Sequence, residues 1–246
     1  MCDIFALCSG YSYTAQRYLP IFAEKGKNNM DGWGIGFFRD NEALVEKSPE
    51  SVFDGHQVHE SFQRLARVVD SRIIVSQISC PLSGTHRGES KHPHALSFLD
   101  HVWLFAHVGV VERIDSYETS LSPRVEVEGF TGRILEFLRD RLVSLMEANP
   151  YGSLYDALKA SLKRLVLQYP GRYTFFLTNE LTLFAFTNYR PLMLLRESET
   201  MGNILLITSI DEGLSPKGWL SIPPAEDSWG KLLVITGADV LYLGDI

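Results

Sequence analysis

Residues 29–38 read Asn-Met-Asp-Gly-Trp-Gly-Ile-Gly-Phe-Phe, and this stretch decides the fold that the sequence predicts. The segment is a turn that runs into a strand. Its three glycines surround one tryptophan and let the backbone approach another group closely. Asp31 is expected to accept backbone N–H bonds in the turn. Residues 33–39 and 42–47 are then predicted to form a hairpin through Asp40-Asn41.

Two further segments and the N-terminus carry chemistry. Residues 103–110 read Trp-Leu-Phe-Ala-His-Val-Gly-Val, an apolar strand that ends in a His-x-Gly turn, and residues 91–94 read Lys-His-Pro-His in the loop before it. The chain begins Met1-Cys2. Removal of Met1 would leave Cys2 with a thiol, which is a nucleophile once ionised, and an α-amine that titrates near neutrality. With Met1 attached, that amine lies in a peptide bond and the base is missing.

Taken in order, Met1-Cys2, the segment 29–38, His92-Pro93 and the turn 107–109 resemble the class II glutamine amidotransferases of the N-terminal nucleophile hydrolase superfamily. The resemblance is to the stand-alone bacterial branch that carries Asp-Gly-Trp-Gly-Ile-Gly, and it spans nearly the whole chain. It implies a single domain over residues 1–246. The implied fold is α+β, a four-layer αββα sandwich of two mostly antiparallel sheets with helices outside.

The resemblance also implies a mechanism. In the family the N-terminal Cys attacks the side-chain amide of glutamine, and its own amine moves the proton. An Asn side chain and a Gly N–H hold the oxyanion. Here Gly109 can supply the N–H, but Val108 stands in the Asn place and cannot donate. Loss of one such donor typically lowers the rate about 100- to 1000-fold. His107 is expected to brace the turn.

The family groups that bind glutamine are replaced. Gln77 and Ser79 stand where a His-x-Arg segment holds the α-carboxylate, and a serine cannot replace a guanidinium. Gly132 stands where an Asp binds the α-ammonium. His92-Pro93 is expected to shape a loop beside the site. The predicted catalytic residues are Cys2 and Gly109, and the predicted substrate-binding residues are Trp33, Gly34, Ser79, His92, His107 and Val108.

Three functions remain open on this sequence. The first is a Cys-dependent amide hydrolase acting on an amide or γ-glutamyl compound other than free glutamine. The second is a catalytically degraded family member that binds a ligand or a protein. The third, a glutaminase subunit that feeds ammonia to a synthetase, ranks below both because the glutamine contacts are missing. Whether the protein is an active enzyme is left open.

Composition and net charge limit the kinds of partner that the protein is expected to bind. The 246 residues are 45% hydrophobic and 22% charged, with a net charge of −7 and a pI near 5.5. This composition is typical of a soluble globular protein and argues against nucleic acid as a partner. We expect no signal peptide, no membrane span, no cofactor, no metal, and a cytoplasmic location. A homo-oligomer is left open. The three cysteines, Cys2, Cys8 and Cys80, indicate neither a zinc site nor a disulfide framework, and Cys8 and Cys80 are expected in the core.

Local patterns predict the remaining elements. Helices are predicted over 51–69, 131–147 and 153–167 from apolar residues at helical spacing, the last with Ser153 as its cap. The other predicted strands cover 2–8, 72–78, 101–107, 172–178, 181–187, 192–196, 204–208, 232–236 and 240–243. The long loop 81–94 is predicted to be functional or disordered.

Overall fold

The computed structural model describes residues 2–26, 31–79, 92–121, 129–210, 213–214, 216–226 and 228–246. Two antiparallel sheets lie face to face, and helices cover their outer faces. One apolar cluster joins the first sheet to the helices near the N-terminus, a second joins the other sheet to the two long helices, and a third fills the space between the sheets. The predicted four-layer α+β sandwich is confirmed.

The helices within the described ranges are α1 Leu19–Lys25, α2 Glu60–Val68, α3 Gly129–Ala148 and α4 Leu154–Gln168. The first eight strands are β1 Asp3–Thr14, β2 Trp33–Arg39, β3 Glu42–Ser48, β4 Phe53–Asp54, β5 Gln57–Val58, β6 Asp70–Ile78, β7 His94–Phe98 and β8 His101–Val108. The remaining strands are β9 Thr174–Thr178, β10 Thr182–Thr187, β11 Leu192–Glu199, β12 Gly202–Thr208, β13 Leu220–Ile222, β14 Lys231–Thr236 and β15 Asp239–Asp245.

The first sheet has the strand order β13-β11-β12-β1-β6-β2-β3, and the second has the order β15-β14-β10-β9-β8-β7. Strand β1 therefore lies in the middle of the first sheet, hydrogen-bonded to β6 on one side and to β12 on the other. Side chains alternate between the two faces of a strand. In β8, Leu104 and Ala106 accordingly face the other sheet, while Trp103 and Phe105 pack under α3 and α4.

Several local predictions are confirmed. The hairpin β2–β3 turns at Asp40 and Asn41, whose φ values of 52° and 65° are those that a two-residue hairpin turn of this kind requires. The hairpin β9–β10 and the helices α3 and α4 are present. The Ser153 side chain accepts a hydrogen bond from the backbone N–H of Asp156, as a capping residue does.

The helix predicted over 51–69 is wrong in its first half. Residues 53–58 form the small hairpin β4–β5, and the chain turns at Gly55, whose φ is +58°. A glycine in this conformation interrupts a helix. The helix α2 begins only after His59, whose Nδ1 accepts from the backbone N–H of Ser61 at 3.3 Å.

No helix in the described part of the chain is both long enough and apolar enough to cross a membrane. Most of the predicted loop 81–94 lies outside the described residues, and its last residue, His94, begins strand β7.

Candidate active site

Cys2 directly precedes β1 and is partly buried against the apolar layer between the sheets. It is disulfide-bonded, so the expectation of no disulfide is wrong at this position. Cys8 is free and buried, as predicted, and burial raises the pKa of its thiol. Cys80 lies outside the described residues. Only a thiolate attacks a carbonyl, so the disulfide of Cys2 must be reduced before this residue can act as a nucleophile.

The backbone next to Cys2 is held from the far end of the chain. The Nη1 atom of Arg190 donates to the carbonyl oxygen of Cys2 at 2.9 Å and to Oδ1 of Asp3 at 2.9 Å. The backbone N–H of Ile4 donates to Oγ of Ser209 at 3.0 Å. The hydroxyl of Thr208 donates to the carbonyl oxygen of Ile4 at 2.8 Å. These bonds fix the first residues of β1 within a buried polar frame.

Gln77 connects the two sheets close to Cys2. It lies opposite Ile4 in the β1–β6 pair. Its Nε2 donates to the carbonyl oxygen of His107 at 3.1 Å, and its Oε1 accepts from the backbone N–H of His107 at 3.2 Å. Strand β7 starts at His94, which pairs with Phe105, so the pairing of β7 with β8 does not reach His107. The side-chain amide of Gln77 bonds the backbone of His107 where a partner strand would otherwise do so. The turn after β8 is thereby tied to β6, the strand that pairs with β1 next to Cys2.

Gln77→Leu is expected to lower the free energy of unfolding by about 2 kcal/mol, because it leaves a buried N–H and a buried C=O of His107 without partners. Urea denaturation measures the change. Gln63→Leu is the matched control: Gln63 makes one bond from the half-buried surface of α2, to the carbonyl oxygen of Val58. The control should lose less than about 1 kcal/mol. Equal losses in the two variants would contradict the role given to Gln77.

The glycines of the segment 29–38 allow the strand β2 to be covered closely. A Cβ on Gly34 would overlap the carbonyl oxygen of His92, and one on Gly36 would lie 2.8 Å from Cγ of Pro93. His92-Pro93 therefore lies directly on the glycine face of β2. Gly34 pairs with Gln77 in the sheet, which places His92 beside the bridge described above.

The turn after β8 depends on Gly109. Its φ is +151°, and a Cβ there would overlap the carbonyl oxygen of Arg172. The same Cβ position lies 3.0 Å from Nε2 of His107, so the imidazole packs against the turn. The His107 ring is stacked beside Phe105 and lies 5.9 Å from the ring of Tyr173, under α3. Val108 faces the opposite way, into the apolar layer that Cys2 also contacts.

Trp33 and Ser79 occupy different surroundings. Trp33 packs edge-on against Phe62, with ring centroids 5.1 Å apart, in the cluster under α1 and α2. The backbone N–H of Ser79 donates to the carbonyl oxygen of Gly32 at 2.9 Å, and the carbonyl oxygen of Ser79 accepts from Asp31 at 3.3 Å. Ser79 therefore lies at the turn before β2. Substrate contacts by Trp33 and Ser79 stay predictions.

Three histidines are buried around the bridge. His92 and His94 lie edge to face with ring centroids 4.6 Å apart. Burial lowers the pKa of His94 to about 3, and Lys47 and His107 add to this shift. Burial also lowers the pKa of His107 to about 3, against a smaller opposing effect of the Arg172 backbone. The pKa of His92 is well below its ordinary value, first from burial and then from its histidine neighbours and Lys47. All three are neutral near pH 7.

The site thus collects Cys2, Gly34, His92, Val108 and the turn 107–109 around the Gln77 bridge. Sequence reasoning missed Arg190, Asp3 and Ser209 as members of this frame. No spacing rule could have found the bond between Arg190 and Cys2, which spans 188 positions in the chain. In the described ranges, no three His, Cys, Asp or Glu side chains are grouped so that they could hold a metal ion.

Several solved structures share this fold. A predicted glutamine amidotransferase from Pseudomonas aeruginosa superposes with a TM-score of 0.64 at 16% identity, covering 98% of this chain and all of the other. Glutamine phosphoribosylpyrophosphate amidotransferase from B. subtilis gives 0.65 at 15% identity, over 99% of this chain and 49% of that one. A glutamine aminotransferase class-II domain protein from Silicibacter pomeroyi gives 0.59 at 15% identity, over 99% of both chains. These likenesses show the fold.

Sequence comparison is more specific. A γ-glutamyl-hercynylcysteine sulfoxide hydrolase from Mycobacterium tuberculosis is 28% identical over 156 residues, which are 61% of this chain and 64% of the relative. The match thus spans less than two thirds of that relative. Residues 1–206 match the family of class-II glutamine amidotransferases. The chain therefore belongs to the class-II glutamine amidotransferases.

Proposed function

We propose that this protein hydrolyses the amide bond of a γ-glutamyl compound other than free glutamine, with Cys2 as the nucleophile. The observation that carries the proposal is the placement of Cys2, which Arg190 holds at the head of β1, two residues from the strand position that the Gln77 bridge joins to the turn 107–109. The hydrolase from M. tuberculosis supports the substrate class, since its name identifies a γ-glutamyl substrate. A cytoplasmic location belongs to the proposal because a reducing compartment keeps Cys2 as a thiol.

The chemistry starts from reduced protein that has lost Met1. The α-amine of Cys2 takes the thiol proton, and the sulfur attacks the γ-carbonyl carbon of the substrate. The π electron pair moves to the carbonyl oxygen, and the N–H of Gly109 donates to that oxyanion. On collapse the C–N bond breaks, and the ammonium of residue 2 gives its proton to the leaving amine. Water then attacks the thioester, loses a proton to the amine, and releases the γ-carboxyl product with the thiol restored.

The replacements at the site remove the charge partners for the α-carboxylate and α-ammonium, which glutamine shares with every other γ-glutamyl compound. Ser79 offers no bidentate partner for an α-carboxylate, and Gly132, in the first turn of α3, offers no carboxylate for an α-ammonium. A site that lacks these partners does not select a small zwitterion through its charges. We therefore expect selectivity from the leaving-amine side of the substrate. Without a donor at Val108 we also expect turnover about 100- to 1000-fold slower than with two oxyanion donors.

Cys2→Ala is expected to abolish release of nitroaniline from γ-glutamyl-p-nitroanilide by reduced protein whose intact mass shows that Met1 is gone. Oxidised protein should be inactive, and dithiothreitol should restore it, because the nucleophile is otherwise held in a disulfide. Cys8→Ala is the matched control, since Cys8 is buried and free and its loss should leave turnover in place. Ammonia release from glutamine should be at least tenfold slower, because the two substrates differ only in the leaving amine and ammonia offers the site no group to contact there.

Two results would overturn the proposal. One is unchanged nitroaniline release by Cys2→Ala. The other is reduced, Met1-free protein that neither releases nitroaniline nor carries a γ-glutamyl thioester on the Cys2 peptide by mass spectrometry.

The second candidate, a degraded family member that binds a ligand, is favoured by the replacements at Ser79, Val108 and Gly132. Native mass spectrometry of protein purified from its own host tests it. Retained Met1 together with a co-purifying small molecule, bound equally well by Cys2→Ala, would support binding without catalysis. Loss of Met1 and a γ-glutamyl adduct on Cys2 would exclude this candidate.

A further inference from the structure

Arg190 lies in the connection between β10 of the second sheet and β11 of the first. Its backbone is anchored on both sides: its N–H donates to Oγ1 of Thr174 at 3.2 Å, and its carbonyl oxygen accepts from Oγ1 of Thr187 at 2.6 Å. The two threonine hydroxyls are fully buried and lie 2.9 Å apart, so they bond to each other as well. The position of Arg190 is thus set by the ends of two strands of the second sheet.

The side chain of Arg190 crosses to the first sheet. Its Nη1 lies 2.9 Å from the carbonyl oxygen of Cys2 and 2.9 Å from Oδ1 of Asp3. The Arg190 side chain is 12% exposed and that of Asp3 is 11% exposed, so water screens this pair only weakly. The hydroxyl of Ser209 donates to the same carboxylate oxygen, Oδ1 of Asp3, at 3.4 Å.

We infer that Arg190 is a positioning residue for Cys2: it fixes the carbonyl of residue 2 and supplies the positive charge beside the thiol. This inference deepens the proposed function and rests on it for its catalytic meaning. A hydrogen bond to the carbonyl removes one rotational freedom from a residue at the end of a strand. A nearby cation favours the thiolate, whereas the Asp3 carboxylate, left alone, would disfavour it. Arg190 therefore favours the thiolate of Cys2 in two ways: its own positive charge stabilises the thiolate, and its pairing with Asp3 offsets the negative charge that would disfavour it.

Alkylation of Cys2 by iodoacetamide tests this role without any substrate. In reduced protein at pH 7, Arg190→Met is expected to slow alkylation of the Cys2 peptide about tenfold, as a rise of one unit in the thiol pKa would do. Arg190→Lys should recover most of the rate, because it restores the charge. Removing one partner of a buried ion pair can also unfold a protein. The double variant Asp3→Asn with Arg190→Met leaves no buried unpaired charge, and it should still react at least threefold more slowly, roughly half a pKa unit.

Arg196→Met is the matched control. Arg196 pairs with Asp239 at 3.2 Å and is about half exposed. Arg196 lies across β12 from Cys8. Cys8 is six residues along β1 from Cys2, which is about 20 Å at the rise of a strand. Its loss should leave alkylation of Cys2 unchanged. Wild-type alkylation rates in both Arg190→Met and the double variant would overturn the inference, as would an equal slowing by Arg196→Met.

The two proposals fail separately. If the alkylation results hold and no γ-glutamyl compound is cleaved, Arg190 still positions Cys2 and the proposed function is wrong. If cleavage occurs, Arg190→Met should lower kcat about tenfold with KM unchanged, matching the tenfold loss of Cys2 alkylation expected for the same variant. A change in KM alone would place Arg190 at the substrate and contradict a role exerted through Cys2.

Discussion

Lowering the pH from 7 to 4.5 is expected to unfold the protein, because three neutral histidines are buried near the Gln77 bridge. The pKa values of His94 and His107 are lowered from about 6.5 to about 3, and that of His92 is lowered in the same direction. In the unfolded chain these imidazoles become protonated below about pH 6.5. The folded state resists protonation until about pH 3, so the unfolded state binds more protons throughout this window.

The sign and size of this change in stability with pH follow from the lowered histidine pKa values. A lowered pKa in the folded state gives stability that is fully present above pH 6.5 and lost as the pH falls toward 3. Each histidine contributes about 1.4 kcal/mol per pH unit in the window, so two of them cost about 5 kcal/mol at pH 4.5. His92 adds to this loss. The total stability of a typical domain is about 5–15 kcal/mol.

Asp140 acts in the same direction but at lower pH. Burial raises the pKa of Asp140, and hydrogen bonds from Tyr117, Ser120, Arg139 and Thr119 outweigh burial and hold the pKa below its ordinary value of 3.8. The stability from this carboxylate is therefore present above pH 3.8 and is lost only as the pH falls further. Unfolding between pH 6 and pH 4.5 reports on the histidines.

Urea denaturation at a series of pH values between 7 and 5 measures the proton uptake. His94→Gln should make the free energy of unfolding less steep in pH by about 1.4 kcal/mol per unit, because one neutral buried imidazole is gone. His101→Gln is the matched control: His101 lies on β8 and is exposed, so folding does not strip its imidazole of water. A flat stability between pH 7 and pH 5, or equal slopes in the two variants, would contradict the buried neutral state.

Much of the fold was predictable from local signals. Asp40-Asn41 and Asn179-Glu180 mark the turns of two hairpins, and the leucines of α3 and α4 recur at helical spacing. The four-layer arrangement was implied by the family resemblance that the ordered motifs carry, and periodicity alone would not have predicted it. Helix α1 was missed because it has seven residues, too few to show a period clearly. Strand β7 was missed although His94–Phe98 alternates between buried and exposed residues, which is a strand signal.

The site was predictable only in part. The glycines at 34 and 109 could be assigned from sequence, because close backbone approach leaves few alternatives to glycine. The partner of each glycine could not be assigned: His92 and Arg172 are known only from the packed chain. Arg190 gives no sequence signal, since a lone arginine between two strands is more often solvated. Its bond to Cys2 follows from the crossing of the β10–β11 connection between the two sheets.

Replacement of Gly109 by alanine is expected to lower the free energy of unfolding by at least about 3 kcal/mol, the upper range for one strained backbone residue. Two effects contribute to this loss of stability. The first is the φ of +151°, which residues with a Cβ rarely adopt. The second is the new methyl group, which would overlap the carbonyl oxygen of Arg172. That oxygen belongs to the backbone, so no side-chain rotation relieves the overlap. The turn must move, and the N–H that we assign to the oxyanion moves with it.

Gly55→Ala separates the two causes. Gly55 also has a positive φ, +58°, but no atom outside its chain neighbours lies within 4 Å of the added Cβ. Gly55→Ala should therefore lower the free energy of unfolding only through its backbone conformation, by about 1–2 kcal/mol. The difference between the two variants in urea denaturation is therefore the cost of forcing Arg172 away from the turn. Gly109→Ala should lose at least about 1 kcal/mol more stability than Gly55→Ala. It should also lose nitroaniline release, which Gly55→Ala retains. Equal destabilisation would mean that the contact between Gly109 and Arg172 is loose, and the turn could not then aim an N–H at a reacting carbonyl.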